Sequence, residues 1–132
     1  YYPLDKHGAE TFRRAVYHHT ARATQIDLIS EFDKPDCAYS APRRSTTTTP
    51  LQALTLMNHS FAIDMAEAFA ERIAADADTD DLSALVTQAF QLAFSRPPRA
   101  KEKTGAMELI EKQGSRAFCR ALINASEFIY LD

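Results

Sequence analysis

The chain has 132 residues, a net charge of −3 and a hydrophobic fraction of 45%, which suit one globular domain able to bury a core without a metal or disulfide staple. No stretch approaches the roughly 20 apolar residues of a membrane span. Seven basic and six acidic residues through Thr49, then eight basic and twelve acidic beyond it, leave no basic footprint for nucleic acid or an anionic membrane surface.

Tyr1-Tyr2-Pro3-Leu4-Asp5 has neither the basic flank nor the apolar core of a signal peptide. The expectation is a single domain over 1–132, cut from a larger protein. Residues 1–49 read as an irregular arm. Arg13-Arg14-Ala15-Val16-Tyr17 fits a short strand or one helical turn, and Ile26, Leu28, Ile29 and Phe32 form a small apolar cluster. Asp33-Lys34-Pro35-Asp36 and Ala41-Pro42 read as turns.

Residues 50–132 read as a helical body. Thr49-Pro50-Leu51-Gln52 is a start signal: Thr49 suits the N-cap, Pro50 the first helical position, and Gln52 the return bond of a capping box. This first helix, expected over 50–57, carries Leu51, Leu54 and Met57 as its apolar residues, and Asn58-His59-Ser60 breaks it, with Ser60 as a candidate new cap. A second helix over 61–75 places Ala62, Met65, Ala66, Phe69, Ala70 and Ile73 at helical spacing. A third over 81–95 carries the clearest stripe, Leu82, Leu85, Val86, Ala89, Phe90, Ala93 and Phe94, and stops at Arg96-Pro97-Pro98. A weaker helix over 100–113 ends at Gly114. Ser115 can cap the last, over 115–127, whose face runs through Phe118, Leu122, Ala125 and Ile129. The fold class that follows is mainly α, a compact bundle of four to five helices with an irregular N-terminal arm.

Several residue groups carry possible chemistry. His18-His19 with Cys37, Asp33 or Asp36 has the right atoms for a metal, but adjacent histidines suit one ion poorly and no ligand spacing supports them. Cys37 beside a histidine would make a nucleophilic pair, yet nothing in the sequence orients one. The run 76–81 resembles the opening of a calcium loop, but the sixth position is Asp81 rather than Gly and the twelfth is Thr87 rather than Glu. Met57 and His59 as haem ligands are outweighed by a core methionine and a helix-break histidine. No metal, haem or other cofactor is expected.

The most informative constellation is Arg43-Arg44 leading into Thr48 and Thr49. Guanidinium groups, hydroxyls and helix amides together suit a phosphate, sulfate or carboxylate. The competing and favoured reading is internal, an arginine–carboxylate network of Arg13, Arg14, Arg43 and Arg44 with Asp33, Asp36, Glu127 and Asp132 that ties the arm to the body. Cys37 and Cys119 read as unpaired thiols, with a disulfide open to them if the parent protein is exported.

Arg13-Arg14-Ala15-Val16-Tyr17, Phe32-Asp33-Lys34-Pro35-Asp36, Arg43-Arg44 with Thr48-Thr49-Pro50-Leu51-Gln52-Ala53-Leu54, Ala89-Phe90 through Arg96-Pro97-Pro98, and the ending 124–132 resemble, in this order, a planctomycete-type C-terminal domain of unknown function. The resemblance covers about residues 12–132. The chain departs from the family pattern at Ala15, where serine is usual, and at Ser95, where glycine is usual. Such domains occur in large multidomain proteins, often beside cytochrome-c-like modules. The resemblance therefore implies an exported, envelope-associated parent and supplies no activity. The chain lacks Cys-x-x-Cys-His and is not itself a c-type haem module.

The expected function is a non-catalytic structural or domain-interaction module whose partners are the other domains of its own chain. The alternative is part of an enzyme whose active site another domain completes, with anion binding at Arg43, Arg44 and Thr49.

Overall fold

A computed structural model describes residues 14–17, 27–35, 40, 42–43, 46–76 and 81–130. Every regular element among them is helical. A 3-10 turn spans Ala15–Tyr17 and is followed by α1 (Asp27–Ser30), α2 (Pro50–Asn58), α3 (Ser60–Asp76), α4 (Leu82–Phe94), α5 (Ala100–Gln113), α6 (Ser115–Ile123) and α7 (Ser126–Ile129). The protein is a mainly α bundle. The chain divides into two compact units, Tyr1–Thr55 and Leu56–Asp132, so α2 begins in the first and ends in the second.

The first unit shows what Arg14–Tyr17 forms: a single 3-10 turn closed by the Tyr17 amide on the Arg14 carbonyl, with Val16 and Tyr17 exposed. Downstream, α1 leads into a turn at Glu31–Asp33 in which Asp33 takes φ 54°. Aspartate tolerates this left-handed region better than most residues, because its short side chain bonds locally.

In the second unit, α3 packs most extensively on α6, α6 also packs on α5, and α5 packs on α4. The core is the set Ala66, Ala70, Ile73, Val86, Ala89, Phe90, Ala106, Phe118, Cys119 and Leu122. Alanines at 62, 66 and 70 are spaced four apart on the buried side of α3. Small residues at that spacing form a shallow ridge that lets a neighbouring helix approach closely. Larger side chains fill the centre: the Phe90 ring meets Phe94 edge-on at 5.3 Å and stacks over Phe118 at 6.4 Å. Glu67 on α3 pairs with Arg116 on α6 at 2.7 Å along the rim of their contact.

The helix boundaries follow local chemistry. Asp81 caps α4, its carboxylate accepting from the Ser83 amide at 2.9 Å. α4 ends at Ser95, which is left-handed at φ 57° and donates its amide to the Gln91 carbonyl. Gly114 separates α5 from α6 at φ 85° and ψ 167°, a region essentially reserved for glycine.

Four expectations need correction. The apolar residues of α2, Leu51, Leu54 and Met57, are 52%, 55% and 49% exposed, while Gln52 is only 7% exposed. Met57 is therefore not a core methionine. The cap at the α2–α3 break is His59 rather than Ser60, which is the first helical residue. Gly114, not Ser115, stands at the N-cap of α6. The last helix is two helices: the Asn124 amide turns back to Arg120, the Ala125 amide to Leu122, and α7 restarts at Ser126.

Candidate functional site

Two polar clusters organise the molecule. The first lies in the N-terminal unit around Gln52. The Thr49 hydroxyl accepts from the Gln52 amide at 3.2 Å, and the Gln52 side-chain oxygen accepts from the Thr49 amide at 3.0 Å. This is the reciprocal capping box that the Thr49–Gln52 spacing predicts. The other end of the same amide group does something the spacing does not predict. Its nitrogen donates to the Glu31 carbonyl at 2.9 Å and to the Thr47 hydroxyl at 3.3 Å. Thr47 in turn gives its amide and its hydroxyl to the two oxygens of Asp33, at 2.6 and 2.8 Å. The start of α2 and the turn after α1 are thus laced together by one buried amide and one carboxylate.

The sequence-derived site residues distribute as follows. Asp33 is engaged by Thr47, and Thr49 is engaged in the cap. Arg14, Arg43 and Thr48 are exposed. Arg13, Arg44, Asp36 and Asp132, with His18, His19 and Cys37, lie outside the described residues. Glu127 lies in the second unit, and its arginine partner there is Arg96.

Arg96 builds the second cluster. Its Nε and Nη2 donate to the two oxygens of Glu127 at 2.7 Å each, and its Nη1 and Nη2 donate to those of Glu102 at 2.9 Å each. Nη1 also donates to the Pro97 carbonyl at 3.1 Å. A guanidinium has five N–H donors in a planar fork, and these contacts occupy all five. The flat face lies 5.6 Å from the centres of both the Phe90 and Phe94 rings, within cation–π range. Glu102 additionally accepts from the Arg99 amide at 2.6 Å, which caps the start of α5. One side chain therefore joins the end of α4, the first turn of α5 and α7.

Electrostatics follow from this geometry. The hydrogen bonds from Arg96, then the one from the Arg99 amide, hold the Glu102 carboxyl at about 2. Glu127 is lowered chiefly by its bonds from Arg96, and Arg96 itself is raised by the two carboxylates. All three stay charged across the neutral range. Cys119 is a free thiol, fully buried, and burial pushes it up to about 12. It stays protonated at neutral pH and behaves as a small core residue rather than a nucleophile. Among the described residues no three His, Cys, Asp or Glu side chains converge on a point that would hold a metal. Among the same residues no helix is long and apolar enough to cross a membrane.

The Arg96 cluster was partly legible. Glu102 stands three residues after Arg99, the spacing of an acidic group that bonds back to a helix start. The Glu127 partner, 31 residues along the chain from Arg96, leaves no local signal. The Gln52–Glu31 contact leaves none either, because its acceptor is a backbone carbonyl.

A mainly α domain whose described polar clusters join helix ends and turns to one another is the class of protein this architecture defines. The chain belongs to the family PSD1, described as a protein of unknown function (DUF1553), whose pattern it matches over residues 2–110. No curated protein and no solved structure matches the chain.

Proposed function

We propose that the chain is a non-catalytic structural and domain-interaction module of a larger, exported protein, and that it engages other domains of that protein through the apolar side of α2. The observation that carries this reading is the inverted polarity of that helix. Its buried residue is Gln52, held by four hydrogen bonds through its side chain and backbone amide, while Leu51 and Met57 stand about half exposed with Leu54 between them. Positions 51, 54 and 57 share one side of a helix. Grouped apolar side chains on a surface mark contact sites more often than isolated ones do. The exported setting rests on the resemblance to domains that accompany cytochrome-c-like modules.

The test is made in the parent protein with Leu51→Glu and Met57→Glu together. Both side chains are substantially exposed, so unfolding of the domain should shift little, within about 0.5 kcal/mol for substitutions of this kind. The expected change is faster proteolytic release of the domain from the rest of the parent. Unaltered release would overturn the reading. A large fall in the domain's own melting temperature would show that the face is packed internally.

A further inference from the structure

The start of α3 is unusual in its chemistry. His59 occupies the N-cap: its carbonyl accepts from the amides of Ala62 and Ile63, at 3.0 and 3.2 Å, and its ring Nδ1 accepts from the Phe61 amide at 3.2 Å. Serine, threonine, aspartate and asparagine are the usual caps, and their side-chain oxygens accept at any neutral pH. An imidazole nitrogen accepts only while it lacks a proton; in the imidazolium both ring nitrogens are donors. We infer that His59 is a proton-controlled cap, and that the junction between α2 and α3 loosens when its ring is protonated.

Three effects act in the same direction. Protonation removes the Nδ1 acceptor that His59 offers to the Phe61 amide, one of the amides of the helix start that has no intrahelical acceptor. It also places a cation at the end of α3 where the backbone dipole favours an anion. Finally, Arg120 of α6 already donates Nη2 to the Met57 carbonyl, two residues before His59, so a guanidinium stands at the same junction.

Among the described residues no carboxylate forms an ion pair with His59 that would offset these effects. α2 and α4 carry no ionisable side chain. From α6, Arg120 is committed to Met57 and Arg116 to Glu67. On α3 itself, Asp64 lies five residues beyond His59 and is exposed. The device belongs to the junction and operates whether or not α2 engages another domain.

The experiment compares the full chain with His59→Asn, which caps at every pH, and His59→Ala, which caps at none. Amide hydrogen exchange at Phe61 is measured at pH 8 and pH 5. Its intrinsic rate depends on Ser60 and Phe61, which are the same in all three proteins. Loss of a cap should raise opening at this amide by about five- to tenfold. The wild type should match His59→Asn at pH 8 and His59→Ala at pH 5. A wild type that follows His59→Asn at both pH values, or His59→Ala at both, overturns the inference. An independent reading comes from the wild type alone: the Phe61 amide resonance should titrate together with the His59 ring, and an amide shift that ignores the ring would also overturn it.

Discussion

Gln52 carries two jobs that substitution can separate. Its oxygen caps α2 through the Thr49 amide, and its nitrogen ties α2 to Glu31 and Thr47. Gln52→Glu keeps an acceptor for Thr49 and adds a charge favoured at a helix start, worth about 0.3–1 kcal/mol. It loses both donors, at about 1 kcal/mol each, and sets an anion against the Glu31 carbonyl. The net expectation is a loss of about 1–2 kcal/mol, confined to the tie. Gln52→Met keeps the length and removes all three side-chain bonds, for a loss of about 3 kcal/mol. Thr49→Ala removes only the hydroxyl half of the cap, at about 1 kcal/mol. Amide exchange distinguishes the two jobs. In Gln52→Glu the Thr47 amide, which bonds Asp33 next to the tie, should lose about tenfold or more of its protection while the Thr49 amide stays protected. In Gln52→Met both should lose protection. Equal protection of Thr47 in the wild type and Gln52→Glu would refute the tethering role. An unchanged Thr49 amide in Gln52→Met would refute the cap.

Three further outcomes are expected. Ser95 sits in the left-handed region at φ 57°, which strains a residue with a Cβ by about 1–2 kcal/mol; glycine gives back part of that through unfolded-chain entropy, so Ser95→Gly should stabilise the protein by about 0.5–1 kcal/mol in chemical denaturation. Glu102 and Glu127 have lowered carboxyls, so their contribution is complete above the ordinary value of 4.5 and is lost as pH falls from there towards about 2 for Glu102. Thermal melting of Arg96→Gln should therefore converge on the wild type across that acid window and fall below it at neutral pH; a gap that persists unchanged at pH 2 would contradict the pairing. For the anion-binding alternative, Arg43→Ala and Arg44→Ala should each leave any sulfate-dependent rise in melting temperature intact if these arginines serve architecture, and abolish it if they hold an anion.

The elements that the sequence by itself determined are those set by neighbours three or four residues apart. The Thr49–Gln52 capping box, the Leu82–Phe94 stripe and its stop at Arg96-Pro97-Pro98, and the Gly114 boundary were all legible and are all present. Helical periodicity also identified Ala66, Ala70, Ile73, Val86, Ala89, Phe90, Phe118 and Leu122 as inward residues, because in α3, α4 and α6 the apolar side is the packed side. In α2 the apolar side is the exposed one, and Met57, expected in the core, stands about half exposed. Which face of a short helix is buried depends on what lies against it, and there a turn with carbonyl and hydroxyl partners draws Gln52 inward and leaves Leu51, Leu54 and Met57 outward. The choice of ion-pair partner was likewise invisible. The network expected from the sequence set Arg13, Arg14, Arg43 and Arg44 against Glu127, but a charge-assisted bond needs contact within about 3 Å. Only the folding of α7 beside the end of α4 brings Glu127 to Arg96. Local hydrogen-bond and steric rules act before the chain folds, whereas burial and pairing between distant residues exist only once the helices have packed.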